Sequence, residues 1–406
     1  MLNLVLVGCG GMGCRHIRGL HRLKEIDALP FTLAGVVDIF EPNRERAASL
    51  AEELLGHRPQ QFDSFDAMQE GLDRIDAMVV TTMPNLHAEI GIAALEAGID
   101  VMVEKPIALT TSQGIALVEV AAQHGRKLAV AENYRRDPIN RLAKALLDAG
   151  AIGPVHLFIQ SSSGSGERVI ITPWRHRRES GGIVVDMGIH YADLMEYFVG
   201  PIETVYGLNG IVDEERIDAE GTVHPADAED LSVGVCRFAN GAIGNYLIDC
   251  AGRGQGHFQR VAYGRKGSLA IPADRTGKPL TLTVREGILG ADRMLVAGDV
   301  LALVPDFHLD EVTIRLFGGD RLTSYDLPFE TIDANLLAIE HADFADAILN
   351  DRQPEVDGAF GLRSLAIAYG FIEAELEGRA LAVNDLVAGV GMPYQTALDA
   401  QLSSLE

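Results

Sequence analysis

Short apolar runs alternate with longer amphipathic segments at the start of the chain. The strands predicted from these runs cover residues 2–7, 31–38, 77–81, 100–103 and 128–131. The helices predicted between them cover residues 14–24, 43–55, 87–97 and 111–124. Strands that are apolar along their whole length and are separated by helices indicate a parallel sheet covered on both faces. We therefore predict an α/β domain over residues 1–131.

The pattern changes near residue 132, where longer segments with strand character begin. The predicted strands cover residues 155–161, 202–209, 231–238, 241–250 and 261–270, and the predicted helices cover residues 138–149, 333–349 and 358–377. Asn240 and Gly241 separate two of these strands, and an Asn-Gly pair in that position is a strong hairpin signal. Strands joined in this way indicate an antiparallel sheet, so we predict a second, α+β domain over residues 132–406.

The charge balance of the chain is strongly acidic. The 406 residues include 34 Lys plus Arg against 58 Asp plus Glu, for a formal net charge of −24 at pH 7. A phosphate backbone attracts a basic surface, so nucleic acid is not expected as a partner. The acidic stretch at residues 213–230 has weak periodicity. We predict a solvated loop there, and a lid over a binding site is the alternative.

The cysteines give no sign of a metal site. Cys9, Cys14, Cys236 and Cys250 lack the close pairing typical of zinc ligands, so we expect free thiols in a reducing compartment and no bound metal. The apolar start MLNLVLVG is too short for a secretion signal and lacks a basic segment. No run approaches the roughly 18 apolar residues that a membrane span needs. We expect a cytoplasmic protein without membrane attachment.

A glycine-rich turn joins the first predicted strand to the first predicted helix. Residues 8–13 read GCGGMG and match G-x-G-x-x-G, a pattern that binds the pyrophosphate of a dinucleotide in this strand-to-helix context. The start of the helix adds unpaired N–H groups and a positive dipole end. The candidate cofactor-binding residues of this turn are Gly8, Gly10, Gly11, Met12 and Gly13.

Two further segments at strand ends are candidates for cofactor binding. Asp38 ends the second predicted strand, where a carboxylate can accept hydrogen bonds from the adenosine ribose and would repel a 2′-phosphate. NAD is therefore expected rather than NADP, with an exposed loop aspartate as the alternative. Thr82, Pro84, Asn85 and His87 follow the strand at residues 77–81, and we predict a loop near the cofactor. Individually, such residues are more often turn or cap residues than ligands.

A lysine follows the strand at residues 100–103. Glu104, Lys105 and Pro106 lie at the carboxyl end of this strand, where the nicotinamide half of a dinucleotide would lie. A lysine beside a substrate hydroxyl favours the developing alkoxide by charge and hydrogen bonding. Pro106 raises the hypothesis of a cis peptide bond that directs the lysine. On spacing alone, an exposed loop lysine is an equally good interpretation.

A second catalytic candidate lies on a predicted helix. Asp186 and His190 are four residues apart, so both lie on one face of the helix. Histidine is the usual general base for removing a hydroxyl proton, and the aspartate could orient its ring or contact substrate. Gly188 between them is interpreted as leaving room for a ligand or a cofactor ring. A structural histidine–carboxylate pair is the alternative.

Five aromatic and basic residues are candidates for substrate binding. Trp174 could stack on a sugar face, and Arg175 or Arg178 could bind hydroxyls or a carboxylate, unless this basic segment is only a solvated loop. Tyr134 and Arg135, at the predicted domain junction, could reach substrate or could hold the two domains together.

Taken together, these motifs resemble those of the Gfo/Idh/MocA oxidoreductase family over nearly the whole chain. The matching segments are residues 8–13, Asp38, residues 84–87, 104–106, 180–182, 186–190 and 263–268. The resemblance implies a Rossmann domain (residues 1–131) followed by an α+β domain with a large, mostly antiparallel sheet (residues 132–406), which would bind substrate and mediate oligomerisation. It also implies Lys105, Asp186 and His190 as the catalytic set, with His190 as acid/base and without a metal.

The resemblance implies an NAD-dependent oxidoreductase. Its substrate would be a secondary alcohol or ketone of a sugar, a glycoside or a cyclic polyol such as inositol. One alternative is a branch of the family that uses tightly held NAD to cleave glycosides through transient oxidation. The other is a non-catalytic, sugar-sensing regulator, which would not need the three catalytic residues. A homodimer or homotetramer is expected by analogy with relatives.

Overall fold

The computed structural model describes residues 1–285, 287 and 290–403 and divides into two compact units. The first unit contains residues 1–136, 310–320 and 327–362, and the second contains residues 137–309, 321–326 and the chain from residue 363 onwards. The chain first leaves the first unit close to the boundary predicted at residue 132. Its later return to that unit was not predicted.

Strands and helices are numbered in chain order. The strands are β1 (Leu2–Val7), β2 (Phe31–Val37), β3 (Gln60–Phe62), β4 (Ala77–Val80), β5 (Asp100–Glu104), β6 (Leu128–Ala131), β7 (Val155–Ser165), β8 (Ile202–Gly210), β9 (Glu215–Ile217), β10 (Val223–Pro225), β11 (Leu231–Phe238), β12 (Ile243–Gly252), β13 (His257–Gly264), β14 (Gly267–Ala270), β15 (Thr281–Arg285), β16 (Asp292–Leu295) and β17 (Leu381–Ala382). The helices are α1 (Gly11–Glu25), α2 (Glu41–Leu55), α3 (Phe65–Gly71), α4 (Pro84–Glu96), α5 (Thr111–His124), α6 (Pro138–Asp148), α7 (Ile183–Val199), α8 (Ala297–Ala302), α9 (Glu311–Phe317), α10 (Phe329–Leu349), α11 (Gly358–Glu377), α12 (Val383–Val387) and α13 (Pro393–Ser403). Short 3-10 helices cover Tyr134–Arg136, Pro173–His176 and Arg178–Ser180.

The first unit is built on a parallel sheet of six strands in the order β3-β2-β1-β4-β5-β6. Strands β4, β5 and β6 are buried at every residue, which is why their sequences are apolar rather than alternating. The predicted Rossmann fold of this part of the chain is confirmed. Strand β3 and helix α3, which are short, were not predicted.

Helix α10 completes the core of the first unit. It packs along α1, and Phe344 and Ala345 join Ile17 and Leu20 in one buried cluster. The two compact units therefore differ from a division into residues 1–131 and 132–406. The apolar pattern of α10 shows that one face of this helix must be buried. It does not show which element of the chain buries it.

The second unit contains a sheet of nine strands in the order β16-β15-β14-β13-β7-β12-β11-β8-β17. Only β7 and β12 pair in parallel among these strands, so the predicted large, mostly antiparallel sheet is confirmed. Helix α7 packs on β7, β11 and β12 and is buried along most of its length. This helix carries the candidate residues Asp186 and His190.

Three local predictions were wrong. The strand predicted over residues 261–270 is a hairpin of β13 and β14, because the Gly-Arg-Lys-Gly sequence between them forms a turn. The helix predicted to begin at His87 begins at Pro84. The acidic stretch at residues 213–230 is not simply a solvated loop: β9 and β10 pair within it, and Arg216 is fully buried. In the part of the chain that the structure describes, no helix is both long and apolar enough to cross a membrane.

Candidate functional site

The glycine-rich turn leaves open space in front of helix α1. A Cβ atom added at Gly10 or Gly11 would meet no other atom within 4 Å. A Cβ at Gly13 would lie 2.2 Å from the Gly8 carbonyl oxygen, and a Cβ at Gly8 would lie 2.7 Å from the Thr81 carbonyl carbon. The outer glycines therefore serve close packing of strand and helix, whereas the middle ones let a ligand approach the backbone.

Asp38 is held against the glycine-rich turn. Its Oδ2 accepts hydrogen bonds from the Cys9 backbone N–H (2.8 Å) and from Asn43 Nδ2 (3.2 Å), and its Oδ1 accepts one from the Phe40 backbone N–H (2.9 Å). Arg44 donates to the Asp38 carbonyl oxygen at 2.5 Å. The structure therefore favours an oriented carboxylate over an exposed loop aspartate.

The residues after β4 form the beginning of a helix rather than a loop. Pro84 is buried in the first turn of α4, and Asn85 is exposed. The predicted loop is therefore restricted to Thr82 and Met83. His87 is buried, and its ring nitrogens lie 2.7 Å from the Pro106 carbonyl oxygen and 3.2 Å from the Thr82 carbonyl oxygen. Burial lowers the pKa of His87, although both carbonyl groups oppose that effect.

Lys105 directly follows β5 and begins a cis peptide bond with Pro106, as hypothesised from the sequence. The Glu104 side chain lies beneath this segment and is 8% exposed. Its Oε2 accepts a hydrogen bond from the Lys105 backbone N–H at 3.1 Å. Lys105 is therefore attached to the first unit through the Glu104 carboxylate and through the link between Pro106 and His87.

The second unit presents Asp186 and His190 on helix α7. Asp186 is 9% exposed, and His190 is half-buried. Arg175 donates from Nε to Asp186 Oδ2 at 3.2 Å and from Nη1 to Thr172 Oγ1 at 2.6 Å. Residues 172–175 are therefore attached to the catalytic candidate Asp186 and are not a free loop.

Aromatic contacts restrict what the other substrate-binding candidates can do. The Arg175 guanidinium lies over the Trp174 ring at 4.3 Å, so this arginine covers one face of the indole. The Arg178 guanidinium lies over the Tyr394 ring at 3.9 Å. In the first unit, Arg135 is 6% exposed and lies over the Phe360 ring at 4.9 Å, while Tyr134 is half-buried. These positions favour packing roles for Arg178 and Arg135.

Gly188 has a different role from the one predicted. A Cβ atom there would lie 2.2 Å from the Tyr246 hydroxyl oxygen of β12. The space beside Gly188 is thus filled by a side chain of the protein. Interpreting this glycine as room for a ligand or a cofactor ring was wrong.

Comparison with known proteins decides the family. Residues 2–132 match the model for the oxidoreductase family with an NAD-binding Rossmann fold, and residues 140–270 match the GFO/IDH/MocA C-terminal domain. The levoglucosan dehydrogenase of Pseudarthrobacter phenanthrenivorans is 30% identical over 298 residues, covering 68% of this chain and 74% of that protein. The myo-inositol 2-dehydrogenase of Thermotoga maritima is 28% identical over 271 residues, covering 66% of this chain and 74% of that protein.

The chain belongs to the Gfo/Idh/MocA oxidoreductase family. A solved structure of levoglucosan dehydrogenase in complex with NADH and levoglucosan has the same fold, with a TM-score of 0.75 and 23% identity. The structural match covers 94% of this chain and 99% of the levoglucosan dehydrogenase chain.

NAD is the cofactor of this Gfo/Idh/MocA protein, and the residues of the first unit fit it. The space in front of Gly10 and Gly11 is open, and a side chain at either position would occupy it. Glycine therefore keeps this space free for a pyrophosphate. We expect Asp38 to contact the adenosine ribose and the start of α1 to face the phosphates. Among the described residues, no cluster of three or more His, Cys, Asp or Glu side chains is arranged to hold a metal ion.

Replacing Asp38 tests the expected cofactor preference. We expect Asp38→Ser to raise the dissociation constant for NADH about 10- to 100-fold, because a hydrogen bond to a charged group contributes about 1.5–3 kcal/mol. The same change should strengthen NADPH binding, since the repulsion of a 2′-phosphate is removed. Cofactor fluorescence titration measures both constants. Asp63→Ser, at an exposed position after β3, is the matched control. If the ratio of the dissociation constants for NADH and NADPH did not change, Asp38 would not contact the adenosine ribose.

The structure also shows important residues that sequence reasoning missed. Thr81 donates through Oγ1 to the Gly8 carbonyl oxygen at 2.5 Å and so supports the glycine-rich turn. His16 lies three residues after Gly13 and is 1% exposed. His190 helps to lower the pKa of Asp274, a buried carboxylate that burial alone would raise and that Arg260 stabilises. Of these residues, only Thr81 could have been found from the sequence, because it is a polar residue directly after a buried strand.

His176 gives the protein a predicted acid sensitivity. It is 1% exposed, and its Nε2 accepts a hydrogen bond from the Ile170 backbone N–H at 2.9 Å. Burial, aided by Arg216 and Arg175, lowers the pKa of His176 to about 4. The unfolded chain takes up a proton near pH 6.5 and the folded chain does not, so stability is lost as pH falls from about 6.5 to about 4.

Between about pH 7.5 and about pH 5, His176 is expected to lower the free energy of unfolding by roughly 2 kcal/mol. Chemical denaturation at the two pH values measures it. His176→Gln keeps an acceptor and should reduce the pH dependence of the free energy of unfolding by that amount. His124→Gln, at an exposed position, should leave the dependence unchanged. Equal pH dependence of both variants would contradict the assignment.

Proposed function

We propose that the protein is an NAD-dependent dehydrogenase that oxidises a secondary alcohol of a sugar or cyclic polyol, or catalyses the reverse reduction. The observation that carries the proposal is the pair Asp186 and His190 on α7, with Arg175 bound to Asp186. The relatives named above, a levoglucosan dehydrogenase and a myo-inositol 2-dehydrogenase, support the substrate class.

His190 is proposed as the acid/base group. It is half-buried, so a substrate can reach its ring while part of it is shielded from water. During oxidation, the imidazole removes the hydroxyl proton, and during reduction it returns that proton. NAD, when bound, accepts the hydride from carbon or returns it. His190 also interacts electrostatically with the buried Asp274 carboxylate, whose pKa it helps to lower.

Lys105 is proposed to stabilise the developing alkoxide. An ammonium group beside the reacting oxygen stabilises negative charge by attraction and by hydrogen bonding. Its backbone is fixed by the Glu104 carboxylate, and the next peptide unit is fixed by His87. A fixed backbone limits how far the ammonium group can move from the reacting oxygen.

Asp186 is proposed to orient the substrate or the His190 ring. The Arg175 guanidinium fixes one carboxylate oxygen of Asp186. Trp174 lies under the same guanidinium, so the three side chains form one connected group. A connected group of this kind can present hydroxyl-binding atoms in a fixed geometry, which suits a sugar or polyol.

A panel assay tests the proposed function. The purified protein is mixed with NAD and with levoglucosan, inositols, aldoses or glycosides, and NADH absorbance is recorded. A rise with one class of compound supports a dehydrogenase and identifies its substrate group. Glycoside cleavage without NADH release would instead favour the redox-assisted glycosidase. Binding of a sugar without turnover would favour the regulator.

We also propose that the second unit binds substrate and self-associates as a homodimer or homotetramer. Leu208, Val233, Val235 and Ile243 are large apolar residues, 39–57% exposed, on the adjacent strands β8, β11 and β12. Val233 pairs with Leu208, so their side chains share one face of the sheet. A second copy of the same face would cover this patch. Light scattering should show a mass of two or four chains, reduced by Val235→Asp.

A further inference from the structure

Two buried histidines of the first unit have no part in the function described so far. His16 on α1 is 1% exposed, and His341 on α10 is completely buried. His16 Nδ1 lies 3.1 Å from His341 Nε2, and His16 Nε2 lies 3.1 Å from Glu104 Oε1. The other oxygen of Glu104 accepts the backbone N–H of Lys105. A continuous chain of hydrogen bonds thus runs from α10 through α1 to the catalytic candidate Lys105.

The direction of each hydrogen bond follows from the charge states. Burial opposes ionisation of Glu104, but the hydrogen bond from His16, with the charges of Lys105 and Arg15, holds the pKa of Glu104 below its ordinary value. Its ionised carboxylate only accepts hydrogen bonds, so His16 Nε2 carries a proton and donates. In the relay, this is the one proton of the His16 ring, so its Nδ1 is an acceptor and His341 Nε2 donates to it.

The unpaired atom at the end of this chain agrees with that direction. Burial lowers the pKa of His341 well below its ordinary value, so its ring is neutral. With the proton on Nε2, Nδ1 of His341 is a bare acceptor. Within the described residues, this Nδ1 atom has no hydrogen-bond partner. The opposite tautomer would leave a buried N–H donor unpaired and two lone pairs facing each other.

We propose that His16 and His341 are positioning residues, which act through the Glu104 carboxylate to hold the Lys105 backbone where its ammonium group can serve the reaction. His16 lies on the helix that begins at the pyrophosphate-binding turn. The relay therefore connects the element that binds NAD to the segment that carries Lys105. This inference rests on the proposed function, because the reaction assigned to Lys105 is part of that proposal.

Replacing His341 is the most direct test. His341→Phe keeps an aromatic ring against Phe31 but removes the donor to His16. His341→Gln keeps an N–H donor at a similar distance from the backbone. We expect His341→Phe to lower kcat about 10- to 100-fold, because a displacement of about 1 Å at a reacting group can cost on the order of 100-fold. His341→Gln should retain kcat within about threefold of the unchanged protein.

The split between kinetic constants separates positioning from general damage. The KM for substrate and the dissociation constant for NADH should change less than about threefold in His341→Phe, since uniform binding is not removed. His21→Ala, on the same helix at a half-buried position, is the control that should leave all three constants unchanged. Equal kcat in the Phe, Gln and unchanged proteins would overturn the proposal.

Ring-nitrogen NMR tests the relay without any turnover. In histidine-labelled protein, His16 and His341 should both show a protonated Nε2 and a bare Nδ1, and the His341→Phe variant identifies which signals belong to His341. A protonated Nδ1 on either ring would overturn the proposal, as would a doubly protonated ring. If no compound in the substrate panel reacts, the proposed function fails while this measurement still decides whether the relay exists.

Discussion

Replacing His190 with alanine is expected to lower kcat by about 10²- to 10⁴-fold, the usual contribution of a positioned general acid or base. The variant loses the only group assigned to accept the hydroxyl proton. NADH binding should stay nearly unchanged, because the residues assigned to the cofactor lie in the first unit and His190 lies on α7 of the second. Steady-state kinetics and a fluorescence titration with NADH measure the two quantities.

A matched control separates catalysis from folding. His156→Ala removes an exposed histidine from β7 in the same unit and should retain full kcat. Thermal unfolding of both variants should remain close to that of the unchanged protein. Retention of more than about a tenth of kcat by His190→Ala would show that another group moves the proton, because loss of a general base costs at least about 100-fold.

The largest expected effect on stability is at Gly188. Alanine at this position places a Cβ 2.2 Å from the Tyr246 hydroxyl oxygen, and the Tyr246 ring cannot retreat because it is stacked on Phe371 at 4.2 Å. We expect Gly188→Ala to lower the free energy of unfolding by about 3 kcal/mol, the upper part of the range for overpacking in a core. Chemical denaturation measures this loss.

The second substitution Tyr246→Phe should restore most of that loss. The Tyr246 hydroxyl has no hydrogen-bond partner among the described residues, so its removal costs little. The nearest atom to the new Cβ then becomes the ring carbon Cζ at 3.5 Å, which is an ordinary contact. Gly298→Ala, where no atom lies within 4 Å, is the control. A double variant as unstable as Gly188→Ala alone would contradict this explanation.

Much of the first unit could be predicted from the sequence. The strands β1, β2, β4, β5 and β6 and the helices α1, α2, α4 and α5 follow from short-range periodicity. The glycine-rich turn could also be located, because backbone geometry and close packing require glycines within a strand-turn-helix unit. Strand β3 and the hairpin of β9 and β10 were missed, since three residues are too few to show a period.

The candidate site was predicted as separate segments. Residue type and spacing offered Lys105, Asp186 and His190 as candidates, and the family resemblance implied them as a set. Neither indicated the partners that hold them. The salt bridge from Arg175 to Asp186 spans a loop whose shape has no periodic signal. The role of Gly188 was predicted incorrectly, because a glycine shows that space is needed and does not show what fills it.

The sequence by itself determined the parallel α/β unit and the dinucleotide-binding turn. These features depend on residues that are near one another in the chain, where backbone geometry and periodicity limit the outcomes. Only the tertiary structure decided that α10 belongs to the first unit and that His341 meets His16, 325 residues away in the sequence. The pattern of apolar residues indicates that one face of a helix must be buried. Which element buries that face depends on the packing of the whole chain.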